Sequence, residues 1–149
     1  MLGELNETEI NELLNSQAVG RIGCHYNGLT YVVPVAYILD NGCITGHIRN
    51  GQKVNMMRKN PSVCFEVEKI ENLSNWKSVV IQGIYEELDG DAAYTAFHNF
   101  FEKIRHLLPG SIAHPHDKPD KTRVTDISHS IIFRINIIEK TGRFERSKI

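Results

Sequence analysis

Two dipeptides constrain this chain more than anything else in it: Asn27-Gly28 and Asn41-Gly42, each set between apolar, β-branched runs. The two-residue hairpin turn that matches the twist of its strands needs positive φ at both central positions, which Asn and Gly adopt at least cost. The segments these turns join, Ala18–His25, Tyr31–Leu39 and Cys43–Ile48, are therefore expected as antiparallel neighbours. Pro34 has no N–H to give to a ladder, so the middle strand is expected to be interrupted or edge-like there. Beyond the second turn, alternation puts Thr45, His47 and Arg49 on one face and Ile44, Gly46 and Ile48 on the other.

Before these strands, Asn6 followed by Glu9 has the pattern of a capping box, and Ile10, Leu13 and Leu14 recur at helical spacing, predicting a helix that ends near Ser16. After them, Gly51–Asn60 reads as a short basic helix with Val54 and Met57 inward, stopped by Asn60-Pro61. Ser62–Lys69 alternates Val63, Phe65 and Val67 with Cys64, Glu66 and Glu68, a strand with one wet face. Residues 70–75 read as a polar connection to a long strand, Trp76–Leu88, in which Gly83 marks a bulge or barrel corner. Ala93, Phe97, Phe100, Phe101, Ile104 and Leu108 then hold a helical period that Pro109-Gly110 ends. Residues 109–127 are expected as a long loop. Ser130–Glu139 alternates again, and Lys140-Thr141-Gly142 is expected to turn it into a last short strand at Arg143–Glu145. The sum is a mainly β fold with helices in a single domain, residues 1–149: six or seven antiparallel strands closed into a small barrel, with one long helix before the last main strand.

A formal net charge of −1 provides no global field to gather nucleic acid or an anionic membrane, so neither is expected as a partner. No run approaches the about 18 apolar residues of a membrane span, and Met1–Glu7 has no signal-peptide pattern, so the expected location is cytoplasmic. Cys24, Cys43 and Cys64 lie in strand-like runs without a C-x-x-C and are expected as buried free thiols. His98, His106, His114, His116 and His129 have no acidic or cysteine partner at ligand spacing, and no metal is expected.

Any anion site must therefore be local. Gly51-Gln52-Lys53 opens a helix directly after the strand that carries His47 and Arg49. A helix start offers unpaired N–H groups and a favourable dipole, glycine lets a ligand approach the backbone, and Lys53 adds a point charge, as a phosphate requires. The backbone of Val33–Ala36, around the break at Pro34, could meet the edge of a flat ring. Together these suit flavin mononucleotide. Tyr26, Tyr31 and Tyr37 either line such a pocket or serve packing, and His47 is either beside the ligand or a satisfied core residue.

From Gly20-Arg21-Ile22-Gly23 to Lys140-Thr141-Gly142 the chain resembles the pyridoxamine 5′-phosphate oxidase-like superfamily of flavin-binding split β-barrels, and within it the 5-nitroimidazole-resistance (Nim-like) branch. The resemblance is carried by Tyr31-Val-Val-Pro-Val35, Asp40-Asn-Gly42, Gly46-His47, Gly51-Gln-Lys53, Asn60-Pro-Ser-Val63 and Trp76-Lys-Ser78-Val-Val-Ile-Gln-Gly83. It implies a Greek-key split barrel with flavin mononucleotide (FMN) as cofactor. Gly46, His47, Gln52 and Lys53 would fall at the phosphate end, Val33, Pro34, Val35 and Ala36 along the ring, and Ser78 on its pyrimidine side. It also implies a homodimer with two flavin sites at the interface, Trp76 serving the partner's site, and a small-molecule substrate. The implied activity is that of a flavin-dependent oxidoreductase on a small aromatic or nitro compound, with His47 as the catalytic candidate. The alternatives are a non-enzymatic flavin-binding or storage protein, and a haem-binding split barrel using the histidines of residues 106–116. The chain departs from the oxidases at Gln52, where they carry Arg, so a second phosphate cation has to come from Arg49 or Arg21. Their C-terminal Trp and Arg have no match in Lys140–Ile149, which counts against pyridoxamine phosphate as substrate.

Overall fold

The computed structural model describes residues 1–106 and 130–148. Both asparagine–glycine pairs turn as expected, with φ of 53° and 76° at Asn27 and Gly28 and of 50° and 75° at Asn41 and Gly42. They join β2 (Val19–Tyr26), β3 (Leu29–Asp40) and β4 (Cys43–Arg49) into antiparallel pairs. The sheet is completed by β1 (Leu2–Glu4), β5 (Ser62–Asn72), β6 (Asn75–Glu87) and β7 (Ser130–Glu145), with α1 (Glu7–Ser16), α2 (Gln52–Lys59) and α3 (Gly90–Ile104) between them. Strand order is β1-β7-β4-β3-β2-β5-β6, and β6 also pairs with β7, which closes the sheet into a ring. Since β5 lies beside β2 rather than beside β4, the connection is of Greek-key type. This is the antiparallel split barrel, mainly β with helices. The ring is weakest at two seams: β3–β4 pairs from Tyr37 to Asp40, and β2–β5 from Arg21 to Gly23.

The inner faces meet in one core, in which Tyr37, Phe65, Phe133, Ile22, Ile44 and Ile81 are almost wholly buried. The α1 capping box forms in both directions, Glu9 N–H to Asn6 Oδ1 at 2.8 Å and Asn6 N–H to Glu9 Oε1 at 3.1 Å. Ile10, Leu13 and Leu14 of that helix are buried, and the Tyr37 hydroxyl donates to the Leu14 carbonyl at 2.6 Å. From α2, Val54 and Met57 enter the core as expected, joined by Met56. The outer faces of β3 and β4 carry α3, whose Phe100 and Ile104 pack on Ile38 and Ala36.

Several boundaries differ from the sequence reading, each for a physical reason. Pro34 does not interrupt β3, which pairs with β2 continuously from Leu29 to Ala36. Tyr37 donates its N–H to Ala18 on the β2 side, and backbone groups alternate along a strand, so Pro34 faces the opposite edge and costs the ladder no bond. That edge has no strand partner before Tyr37 among the described residues. Residues 70–75 are not a polar connection: β5 runs on to Asn72 and β6 begins at Asn75, in a hairpin arm on which Ile70 and Leu73 stand exposed. Lys140-Thr141-Gly142 is not a turn but the middle of the continuous β7. Gly142 serves packing, since a Cβ there would lie 2.9 Å from both Leu5 and Ile10. The Gly83 irregularity is present as a register shift between Gln82 and Gly83 that leaves Ile138 of β7 without an opposite residue. The final helix closes at Ile104, with Arg105 N–H bonded to the Phe101 carbonyl, while Leu108 and Pro109-Gly110 lie outside the described residues. Strand β1, which the sequence reading missed, pairs Leu2–Glu4 with Arg143–Glu145. The loop of residues 109–127 lies outside the described residues.

Candidate functional site

The cationic end of the site is assembled by α2 and the strand before it. Helix α2 starts without a side-chain cap, so its first N–H groups have no side-chain acceptor among the described residues. In its first turn Lys53 lies with its ammonium 5.9 Å from the centre of the Tyr31 ring, a cation–π contact that restrains the side chain without neutralising it. Arg49 ends β4 exposed, and among the described residues neither cation has a carboxylate partner. Gly51 is extended (φ 176°) with nothing within 4 Å of where a Cβ would stand, so its conformation does not demand glycine. Gln52 is exposed beside it.

His47 lies on the outer face with Thr45 and Arg49, as alternation required. It is exposed and stands against α3, its ring 5.3 Å from Phe100 and 6.4 Å from Phe97 between centres. It is therefore no core histidine. Gly46 is buried, and a Cβ on it would come within 2.6 Å of the Ala36 carbonyl oxygen, so glycine is what lets β3 approach β4 at their seam. Along β3, Val33 and Val35 turn inward to the core, whereas Pro34 and Ala36 face out and carry the unpaired edge. Gly46 thus meets Ala36 across the seam, Lys53 lies on Tyr31 of β3, and His47, Arg49 and Gly51–Lys53 follow one another along the chain.

Trp76 and Ser78 do not join that region. Between β3 and β6 lie β2 and β5: Pro34 stands opposite Arg21, Arg21 opposite Glu66 and Glu66 opposite Val80, so Ser78 is three strands away across the sheet and two residues further along β6. Ser78 belongs to a polar row across the outer face of β2, β5 and β6. Its hydroxyl donates to Glu66 Oε2 at 2.9 Å, and Arg21 Nη1 lies 3.4 Å from Glu66 Oε1 and 2.9 Å from Glu68 Oε1. Arg21 is thereby paired with two carboxylates, whereas Arg49 has no carboxylate partner among the described residues. Trp76 is half-buried and its indole N–H donates to Glu145 Oε2 at 3.0 Å. Exposed Val32 and Val80 flank the row. The sequence reading missed the grouping of Arg21, Glu66 and Glu68; its signal was the wet face of the Ser62–Lys69 alternation.

Burial raises the Glu66 pKa above the ordinary glutamate range, opposed by the Ser78 hydrogen bond and reinforced by Glu68. A carboxyl whose folded pKa is raised favours the folded state at low pH, and that contribution is lost as pH rises through the folded value. Glu66→Gln should therefore gain stability relative to wild type as pH rises from acidic to neutral. Urea unfolding across that range checks it; a constant difference would mean that Glu66 does not titrate abnormally.

Tyr37 is a packing residue, while Tyr31 and Tyr26 carry the ammonium groups of Lys53 and Lys59. The cysteines are free; Cys24 is buried, with its thiol pKa raised by that burial, while Cys43 and Cys64 are only partly so. Among the described residues no group of His, Cys, Asp or Glu could hold a metal, and no helix is long and apolar enough to cross a membrane. His98 and His106 are exposed on and just after α3; His114, His116 and His129 lie outside the described residues.

The family profile described as pyridoxamine 5′-phosphate oxidase matches residues 6–144. An uncharacterized protein of Rhizobium meliloti (strain 1021), RA0666, is 26% identical over 144 residues, covering 93% of this chain and 92% of its own. The crystal structure of a FAD-binding protein from Mesorhizobium loti is 27% identical with a TM-score of 0.77, covering 99% of this chain and 98% of that one. A structure from Bacteroides thetaiotaomicron, assigned to 5-nitroimidazole antibiotic resistance, has a TM-score of 0.74 at 13% identity over 97% of this chain and 87% of its own, and shares the fold. With the barrel, its order of strands and the matched span in agreement, this chain belongs to the pyridoxamine 5′-phosphate oxidase family.

Proposed function

We propose that this protein binds a flavin, FMN in our reading, and uses it as an oxidoreductase on a small aromatic or nitro compound. One observation carries the proposal: the uncapped start of α2 sits with Lys53 and Arg49, which have no carboxylate partner among the described residues, beside the unpaired edge of β3. A flavin phosphate carries roughly −1.5 to −2 charges and needs both cations and N–H donors, and these residues supply them. Family membership and the FAD-binding protein of Mesorhizobium loti support a flavin, and FAD is the competing form. Bound flavin supplies the electron or hydride transfer. The chain's own part is to hold the phosphate at Lys53 and Arg49, to align the ring along Val33–Ala36, and to place His47 beside it. The separation of Ser78 from Pro34 by three strands and two residues along β6 suits a site shared by two copies, with Trp76 and Ser78 of each turned toward the other's flavin. A homodimer of this kind fits the exposed Val32 and Val80 around the polar row, and the cytoplasm is the matching location.

An absorption spectrum of the purified protein, followed by titration with FMN, FAD and haem, tests this reading. A flavin spectrum, or saturable quenching of FMN fluorescence by a protein of dimeric mass, is expected. A colourless protein that leaves both flavins unquenched, or one that takes up haem with a Soret band, would end it. Reduction of the bound flavin by a nicotinamide donor and reoxidation by a nitro compound separate an enzyme from a flavin store.

A further inference from the structure

We propose that Tyr31 is a positioning residue: its ring fixes the Lys53 ammonium for an anion without neutralising it. The inference rests on the phosphate end of the flavin reading above and adds to it what holds the cation ready. Between Glu12 and Glu66 the sequence has a single acidic residue, Asp40, against Arg21, Arg49, Lys53, Arg58 and Lys59. Asp40 lies at the far end of β3 from Tyr31, where its Oδ2 accepts from Asn99 Nδ2 at 3.2 Å. Arg21 is paired with Glu66 and Glu68, and Arg58 with Glu87 at 2.7 Å, carboxylates that all come from later strands. Arg49, Lys53 and Lys59 have no carboxylate partner among the described residues. A chain of net charge −1 thus gathers three unneutralised cations on and just before one short helix.

A lysine left in water keeps the rotamer freedom of a long side chain, and an anion has to remove that freedom on binding. A carboxylate partner would remove it beforehand but would cancel the charge. An aromatic face removes it and leaves the charge whole. The Lys53 ammonium lies 5.9 Å from the centre of the Tyr31 ring. That ring is itself fixed, because Tyr31 stands opposite Cys24 in the β2–β3 ladder and is packed against the core. The same arrangement recurs at the other end of α2, where the Lys59 ammonium lies 5.2 Å from the centre of the Tyr26 ring. Lys53 is in the first turn of α2, with the uncapped N–H groups and the favourable end of the dipole; Lys59 is in the last turn. Tyr31 therefore holds its cation where an anion can meet both, and Tyr26 provides the internal comparison.

The test is the ratio of FMN to riboflavin affinity, measured by fluorescence titration of the full-length protein. Both ligands report on the same folded molecules and differ by the phosphate. Tyr31→Leu should lower that ratio about threefold, the order of one partly exposed cation–π contact, and leave riboflavin affinity as it was. Tyr31→Phe and Tyr31→Trp keep an aromatic face and should keep the wild-type ratio. Tyr26→Leu should keep it too. In a Lys53→Ala background Tyr31→Leu should change the ratio no further. A residue important only for folding would move both affinities together in either background. Tyr31→Leu with the wild-type ratio overturns this inference while FMN binding stands. So does Tyr31→Phe that lowers the ratio as far as Tyr31→Leu, which would assign the contact to the hydroxyl. Wild type that binds FMN no more tightly than riboflavin removes the phosphate end and this inference with it. Wild type that binds neither flavin overturns the flavin reading as a whole and this inference too.

Discussion

Lys53→Ala should weaken FMN binding by about 10- to 100-fold, the loss of one charge-assisted hydrogen bond of about 1.5–3 kcal/mol, and leave riboflavin binding almost unchanged. The two ligands differ only by the phosphate, so their ratio isolates the cationic end of the site. Lys53 is singled out because it lies in the first turn of α2, has no carboxylate partner among the described residues, and is held by the Tyr31 ring at 5.9 Å. Arg49→Ala should give a similar but smaller loss, because it acts from the end of β4 and outside the α2 dipole. Arg21→Ala should leave the FMN-to-riboflavin ratio alone, since its charge is already spent on Glu66 and Glu68. A Lys53→Ala variant that loses both ligands equally would place the phosphate elsewhere and reduce Lys53 to packing on Tyr31. Fluorescence titration of each variant with both ligands provides the comparison.

What could be seen in the sequence was whatever depends on local backbone chemistry. Asn27-Gly28 and Asn41-Gly42 require positive φ wherever they sit, and the alternation of Val63, Phe65 and Val67 requires a wet and a dry face. Those signals carried the fold class and the outward face of His47, and the helical period of Phe97, Phe100 and Ile104 carried the position of α3. What stayed hidden depends on partners distant in sequence. Gly142 looks like a turn residue until Leu5 and Ile10 are seen lying against it. Strand β1 has no pattern of its own and exists because Arg143–Glu145 offers it an edge. The candidate site divides in the same way. The entry to α2 is contiguous in sequence and was visible as a unit, whereas Arg21 could be offered as a phosphate cation because nothing local shows that Glu66 and Glu68 face it from the neighbouring strand. The distance between Ser78 and Pro34 follows from strand order, which no spacing in the sequence reveals.

Two glycines offered as cofactor-binding residues should respond to alanine in opposite ways. At Gly46 a Cβ would come within 2.6 Å of the Ala36 carbonyl oxygen and 3.0 Å of the Phe133 ring. The first of these is backbone at the short β3–β4 seam and cannot rotate aside, so the strands must separate where their pairing is already least extensive. Gly46→Ala should cost about 1–3 kcal/mol of stability, as overpacking does in a well-filled interior, and should weaken FMN and riboflavin together because the open edge of β3 moves. At Gly51 nothing lies within 4 Å, and the extended φ of 176° suits any residue, so Gly51→Ala should leave the urea midpoint unchanged. If the phosphate approaches the first N–H groups of α2 closely, the same methyl group obstructs it, and FMN affinity should fall while riboflavin affinity holds. Urea unfolding and paired titration of the two variants therefore separate a glycine kept for strand packing from one kept for ligand approach. Gly46→Ala with wild-type stability would mean that the β3–β4 seam is looser than the Ala36–Gly46 contact implies. Gly51→Ala with undiminished FMN affinity would move the phosphate from the α2 backbone to the side chains of Lys53 and Arg49 alone.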